Sequence, residues 1–313
     1  MGTLYLDRKG TSLKREGRAL AVYQGGERYG TVPINLLERV VMYGTVALDT
    51  GLLGALAKEG IAVTLLSGRH GRGQAMVVGR AHADASRRIA QYQRYNDAKW
   101  RTTWSRRLVH HKLLAQIRLL RYALKQRPDR RYALTRALDS LARLLQQVGE
   151  ASDVGRLRGL EGAAAAAYFA GLTQLFADSL GFTGRNRRPP RDPVNASLSL
   201  AYTLVHYETA QACHAAGLDP LIGFYHELAY GRESLASDLL EPLRPRVDRW
   251  VWDLFRCKRL RAEDFTREGE ACLLGKAGRR TFFAAFEVFV QPLRRLLRRV
   301  TQRVVSELVG GKD

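Results

Sequence analysis

Apolar residues recur along this chain in two rhythms, and the change comes near residue 84. Before it, short apolar runs such as "TLYL", "LAVY" and "GTVPI" are cut by glycine and charged turns such as "DRKG" and "QGGERYG". That is the pattern of short strands. "ERVVMYG" and "IAVTLLS" predict more deeply buried strands, and "QAMVVGR" a last one. Between them "LDTGLLGALAKEG" predicts one short helix, capped by Asp49 or Thr50 and stopped by Gly60.

After residue 84 almost everything has helical period. "WRTTWSRRLVHHKLLAQIRLLRYALKQ" carries Leu113, Leu114, Ile117, Leu120 and Leu124 on one stripe, with bases elsewhere. Pro128 breaks it. A second helix over "RRYALTRALDSLARLLQQVG" is expected to end at Gly149. A third contains "LRGLEGAAAAAYF". "RNRRPPRDP" reads as a basic, proline-rich loop, and "NASLSLAYTLVHYETAQACHAAG" as a helix stopped by Gly217. The last helix is expected from about Thr281 to about Val309. The pattern predicts an α+β protein: a β-rich domain over 1–80, a linker over 81–86 and a larger all-α domain over 87–313.

Composition adds one strong fact. The 313 residues hold 51 Lys and Arg against 30 Asp and Glu, a formal net charge of +21. Such a surface attracts polyanions, with nucleic acid ahead of an anionic membrane. Residues 100–144 hold twelve bases and two acids, which points to the helical part as the polyanion-binding one. Arg294/Arg298 and Arg295/Arg299 form i,i+4 rows on the last helix that read as a solvated face, while Trp100, Trp104 and Tyr122 read as core. Three cysteines without CxxC spacing (Cys213, Cys257 and Cys272) read as small core residues in a reducing cytoplasm. The N-terminus has no apolar run long enough for a signal peptide, and no stretch is long enough to span a membrane.

A few carboxylates stand apart from the bases. Glu161 lies between Gly159 and Gly162, just before the alanines 163–167. Those glycines would let a backbone approach Glu161 closely, and the alanines would admit a neighbouring helix. Asp238 and Glu241 sit three apart on a helix expected to begin at Ser234, beside Leu235, Leu239 and Leu240. Two acids beside an apolar stripe repel unless a cation stands between them. Mg2+ or Mn2+ is the economical candidate, because both take carboxylate oxygens and Mn2+ also accepts an imidazole such as His226. Blander readings remain open at this point. His226 is then a hydrogen-bonded core histidine, Asp238 and Glu241 an exposed face paired with Arg244 or Arg246, and Glu161 a partner of Arg156 or Arg158.

Three blocks in order, "LRGLEGAAAAAYF", "RPPRDPVNASLSLAYTLV" and "GFYHELAYGRESLASDLLEPLRP", resemble the signature blocks of the CRISPR-associated protein 1 family. "TVPINLLERVVMYGTVALDTGLLGALAKEGIAVTLLSGRHGRGQAMVVGR" is similar to its β-domain. The resemblance implies a spacer integrase and metal-dependent DNA endonuclease, with Glu161, His226 and Glu241 as metal ligands. Asp238 falls on a second acidic position, as a hydrogen-bonding residue or an alternative ligand, and Pro242 departs from the family's polar run. Asn195 matches a family asparagine near the active site, or is a helix N-cap. The resemblance further implies a homodimer through the β-rich domain and CRISPR-associated protein 2 as a partner. DNA would be tracked by Arg185, Arg187, Arg188, Arg191 and Arg232. The competing class is a non-catalytic, basic, architectural DNA-binding subunit.

Overall fold

Strands and helices segregate along the chain as their apolar periods require. The computed structural model describes residues 2–67, 73–79, 82–186 and 189–310. The chain divides into two units, Met1–Ala83 with Phe282–Arg295, and Asp84–Thr281 with Leu296–Asp313.

In the first unit the strands are β1 (Gly2–Leu6), β2 (Thr11–Glu16), β3 (Ala19–Gln24), β4 (Glu27–Pro33), β5 (Leu37–Tyr43), β6 (Val46–Ala47), β7 (Ala62–Leu66) and β8 (Gly73–Val77). They form two four-stranded sheets, ordered β1-β5-β7-β8 and β4-β3-β2-β6. Helix α1 (Thr50–Lys58) lies between β6 and β7 in the chain. Asp49 caps it by accepting from the Leu52 amide at 2.7 Å, and Gly60 follows it at φ +72°. Both sheets and α1 contribute to one core, which includes Leu13, Leu20, Val40, Leu52, Leu56 and Val63.

The second unit contains α2 (Ser86–Asn96), α3 (Ala98–Gln126), α4 (Arg131–Gly149), α5 (Val154–Thr173), α6 (Pro193–Ala215), α7 (Ser234–Leu240), α8 (Arg244–Arg256) and a hairpin of β9 (Phe265–Glu268) and β10 (Ala271–Leu274). Helix α3 packs against α4 and α5, and α6 packs against α7 and α8. The last helix, α9 (Lys276–Val309), contributes its middle to the first unit. There Phe283 stacks on Tyr5 with ring centroids 4.7 Å apart.

Four expectations need correction. The hairpin interrupts the helical half, because its two four-residue strands are too short to register as a period. The middle of α9 belongs with the strands rather than with the helices. Arg294 is buried rather than solvated, donating to Glu287 Oε1 at 2.7 Å and Thr3 Oγ1 at 2.9 Å. Cys257 is exposed, whereas Cys213 and Cys272 are buried. Among the described residues no helix is long and apolar enough to cross a membrane.

Candidate active site

The loop over 216–233, between α6 and α7, carries His226 and is held from inside by one carboxylate. Asp238, fully buried on α7, accepts the Phe224 and Tyr225 amides on Oδ2 at 2.7 and 3.0 Å. Its Oδ1 accepts the His226 amide at 3.0 Å and lies 2.6 Å from His226 Nδ1. A carboxylate that already accepts three amides is an acceptor for the ring as well, so the ring donates to it through Nδ1–H, and Nε2 is the nitrogen that Asp238 does not engage. The arrangement needs glycine at 223. A Cβ there would fall 2.7 Å from Asp238 Oδ2 and 2.7 Å from the Ser234 carbonyl carbon.

Helices α2, α3 and α5 hold the loop's carbonyls. Buried Gln91 donates to the carbonyls of Asp219 and Ile222 at 2.9 and 2.7 Å and accepts the Asp219 amide at 2.8 Å. Arg101 and Ser105 both donate to the Phe224 carbonyl at 3.2 Å, and Arg158 donates to the Tyr225 carbonyl at 2.9 Å. The Phe224 ring meets Trp100 and Trp104 edge-on, with centroids 4.8 and 5.0 Å away. These tryptophans are packed, as their place in the apolar pattern predicts.

Glu161 on α5 and Glu241, in the 3-10 turn that Pro242 sets between α7 and α8, both accept from the Lys112 ammonium of α3. Arg244 Nε donates to the other oxygen of Glu241 at 2.9 Å. Burial by itself raises the Glu241 carboxyl, but the charges of Arg244 and Lys112 outweigh it and hold the group at about 2. One turn beyond Arg244, the fully buried Asp248 has neutral partners. Tyr168 donates to it at 2.7 Å, and Tyr202 donates to its other oxygen. Burial pushes Asp248 up to about 6, and the two tyrosine hydrogen bonds offset this only in part.

Glu161, His226, Glu241 and Lys112 line one cavity of about 320 Å³, together with Arg185 and Arg232. Among the described residues, no three His, Cys, Asp or Glu side chains stand close enough as placed to hold an ion. The Lys112 ammonium takes the space between the two carboxylates instead. Among the described residues Glu161 pairs with Lys112 rather than with Arg156 or Arg158, and Arg158 pairs with Glu227. Asp238 and Glu241 are buried rather than an exposed face, although Glu241 does pair with Arg244. The close approach imagined at Gly159 and Gly162 is absent, since a Cβ at either meets nothing within 4 Å. It occurs further along α5 at Gly171, where a Cβ would lie 3.0 Å from Ala137 Cβ.

The expected DNA-contacting residues divide. Arg185 and Arg232 face the cavity, and Arg191 pairs with Glu270 at 3.0 Å on an exposed surface. Arg187 and Arg188 lie outside the described residues. Asn195 is fully buried and so cannot itself touch DNA. Its Oδ1 accepts from Arg185 at 2.6 Å and from the Asn186 amide at 3.1 Å, so it positions the loop that carries Arg185. Nor is Asn195 the N-cap of α6. Asp192 fills that place, accepting the Asn195 amide at 2.8 Å, because Pro193 takes the first helical position and has no N–H in need of an acceptor. Lys112, Gln116, Tyr168, Tyr202 and Asp248 were not singled out from the sequence. A signal for the first two did exist, since both fall beside Val109 and Leu113 on the buried stripe of α3.

A family model described as CRISPR associated protein Cas1 matches residues 4–288. A CRISPR-associated endonuclease Cas1 of Thermodesulfovibrio yellowstonii is 36% identical, with 100% of this chain and 99% of the relative covered. One from Rhodospirillum rubrum is 39% identical over 92% of this chain and 86% of its own. The fold is that of a CAS1 protein from Thermotoga maritima, at TM-score 0.87, 24% identity and coverage of 100% of this chain and 98% of that one. With the signature blocks folded around one cavity and the match running through both units, the chain belongs to the CRISPR associated protein Cas1 family.

Proposed function

We propose that this chain is a divalent-metal-dependent DNA endonuclease and integrase of CRISPR adaptation, joining the 3′-hydroxyl ends of short DNA duplexes into a repeat array by transesterification. The observation that carries the reading is the meeting of Glu161, Glu241 and His226 on one cavity, with His226 Nε2 left open by Asp238. The relatives named as CRISPR-associated endonucleases support the nuclease half.

Glu161, His226 and Glu241 would hold Mg2+ or Mn2+, since carboxylate oxygens and one imidazole suit these ions. One orphaned group favours the fit. The Tyr225 hydroxyl is buried with no hydrogen-bond partner among the described residues. Burial raises the Tyr225 hydroxyl, and the charges of Glu161 and Glu241 raise it further, so it lies in the field of both carboxylates. A hydrated ion beside those carboxylates would supply the missing partner. When bound, such an ion polarises a scissile phosphodiester and activates the attacking hydroxyl or water. The protein's own groups supply the rest. Asp238 fixes the ring of His226 and keeps the proton on Nδ1, and Arg185 and Arg232 offer guanidinium groups to backbone phosphates at the cavity. A homodimer through the β-rich unit and assembly with CRISPR-associated protein 2 belong to the same proposal and rest on family membership.

Strand transfer of a labelled duplex into a supercoiled target, with and without chelator, tests this. Glu161→Ala, His226→Ala and Glu241→Ala are each expected to reduce cutting and strand transfer to the background seen with chelator, while a filter-binding assay shows DNA binding largely kept. Activity retained in all three would leave a basic, architectural DNA-binding subunit.

A further inference from the structure

Lys112 is a lysine in an unusual place. Its side chain is 9% exposed, it sits on the buried stripe of a long helix, and its ammonium joins two carboxylates that come from separate elements. Lysine is rarely buried unless paired, and this one has two partners. Around Glu241 the pairing is divided: Arg244 holds Oε1 and Lys112 holds Oε2. The oxygens that Lys112 bridges, Glu241 Oε2 and Glu161 Oε1, belong to two carboxylates that line the same cavity. An ammonium and a divalent ion cannot share that space, because like charges a few ångströms apart in a poorly hydrated wall repel strongly. The lysine also has somewhere to go. Gln116 Oε1, one turn further along the same face of α3 and lining the same cavity, is a buried acceptor with no partner among the described residues. The four-carbon stem of lysine permits such a swing.

We propose that Lys112 is an internal stand-in for the divalent ion. It keeps Glu161 and Glu241 together while the ion is absent, and it leaves them for Gln116 Oε1 when the ion enters. Lys112 is thus a positioning residue that competes with the metal, and the inference rests on the metal-dependent reading above. The competition lowers the protein's affinity for the ion and keeps the empty site from springing apart.

Titration calorimetry of MnCl2 into the full-length wild type, Lys112→Met and Lys112→Arg tests it. Lys112→Met is expected to bind Mn2+ roughly tenfold more tightly than wild type, the size of an ordinary coupling between two ligands. It is also expected to melt at a lower temperature without metal and to regain the difference with Mn2+. Lys112→Arg, which keeps a competing cation, should bind no more tightly than wild type. Equal or weaker binding by Lys112→Met, with wild type still binding, overturns the inference and leaves the metal site standing. Absence of saturable Mn2+ binding in every protein overturns both. Should Lys112→Met lose its circular dichroism, Lys112→Gln, which keeps hydrogen-bond donors but carries no charge, takes its place with the same expected and overturning outcomes.

Discussion

Asp238 and Glu241 stand three residues apart, both buried, and their surroundings divide them. Asp238 is satisfied by backbone amides and one imidazole of the loop over 216–233, and those amides cannot leave without unfolding the loop. Glu241 is satisfied by the side-chain cations of Lys112 and Arg244, which can move. The difference separates a carboxylate whose partners are fixed main chain from one whose partners are movable side chains. An acid locked by main chain shapes a site, whereas an acid neutralised by a flexible cation can exchange it for another. Resemblance favoured Glu241 as third ligand and left Asp238 as a hydrogen-bonding residue or an alternative ligand, and their partners now set the two apart.

The largest test of this contrast is Asp238→Ala. It strips the acceptor from two buried amides, one half-buried amide and one ring nitrogen at once, and each buried group costs about 1–3 kcal/mol when left unpaired. The expected loss is at least about 3 kcal/mol in urea denaturation, together with loss of activity. A variant as stable as wild type would mean that the loop is held from its other side alone.

The second test separates the cation-held acid from the neutrally partnered one by pH. Asp248 titrates near 6 in the folded chain against an ordinary 3.8. Between about pH 4 and 6 the folded chain therefore keeps a proton that the unfolded chain has lost, so this group's contribution to stability falls as pH rises through that window and is flat above it. Glu241 runs the other way. At about 2 against an ordinary 4.5, its contribution is fully present above 4.5 and is lost as pH falls toward 2. Each span is on the order of 1–3 kcal/mol. Urea midpoints measured from pH 3 to 7 should lose the first slope in Asp248→Asn and the second in Glu241→Gln. If both variants kept the wild-type profile, the opposite environments assigned to these acids would be wrong.

Gly223→Ala comes next. It puts a methyl against Asp238 Oδ2 and the Ser234 backbone without removing any hydrogen-bonding group. Displacing either costs about 1–3 kcal/mol, as overpacking does. Activity should fall further than stability, because the displaced oxygen is the one that fixes the loop preceding His226. Equal thermal midpoints and activity for variant and wild type would show that Asp238 tolerates a shift.

Much of this was legible beforehand, for reasons local to each residue. Asp49 and Gly60 bracket α1 through cap and left-handed turn, and Gly217 ends α6 at φ +79°, signals that need no tertiary context. The three signature blocks brought Glu161, His226 and Glu241 together by resemblance rather than by spacing. Lys112 escaped because a base among many bases reads as solvated. Period alone does not distinguish a base at the edge of an apolar stripe from one inside it. Asn195 was placed near the active site by resemblance, with a helix cap as its other reading, and choosing Asp192 as the cap instead takes the backbone at Pro193. The β2 strand, "TSLKRE", is half charged and shows its inward Leu13 only once β3 is paired beside it.

Ser105→Ala should have the smallest effect, and it sharpens the contrast from its weak side. Ser105 Oγ donates to the Phe224 carbonyl from within the core, yet Arg101 Nε donates to the same oxygen at the same 3.2 Å. The carbonyl keeps a partner when the hydroxyl goes, so the cost is that of one replaceable hydrogen bond, about 0.5–1.5 kcal/mol. The amide of the same residue has no such reserve, because it rests on Asp238. If the loop's hold is redundant on its carbonyl side and single on its amide side, Ser105→Ala will lower the urea midpoint slightly and leave strand transfer unchanged. A fall in activity as deep as that of Asp238→Ala would instead place the Phe224 carbonyl, and not the carboxylate beneath it, in control of His226.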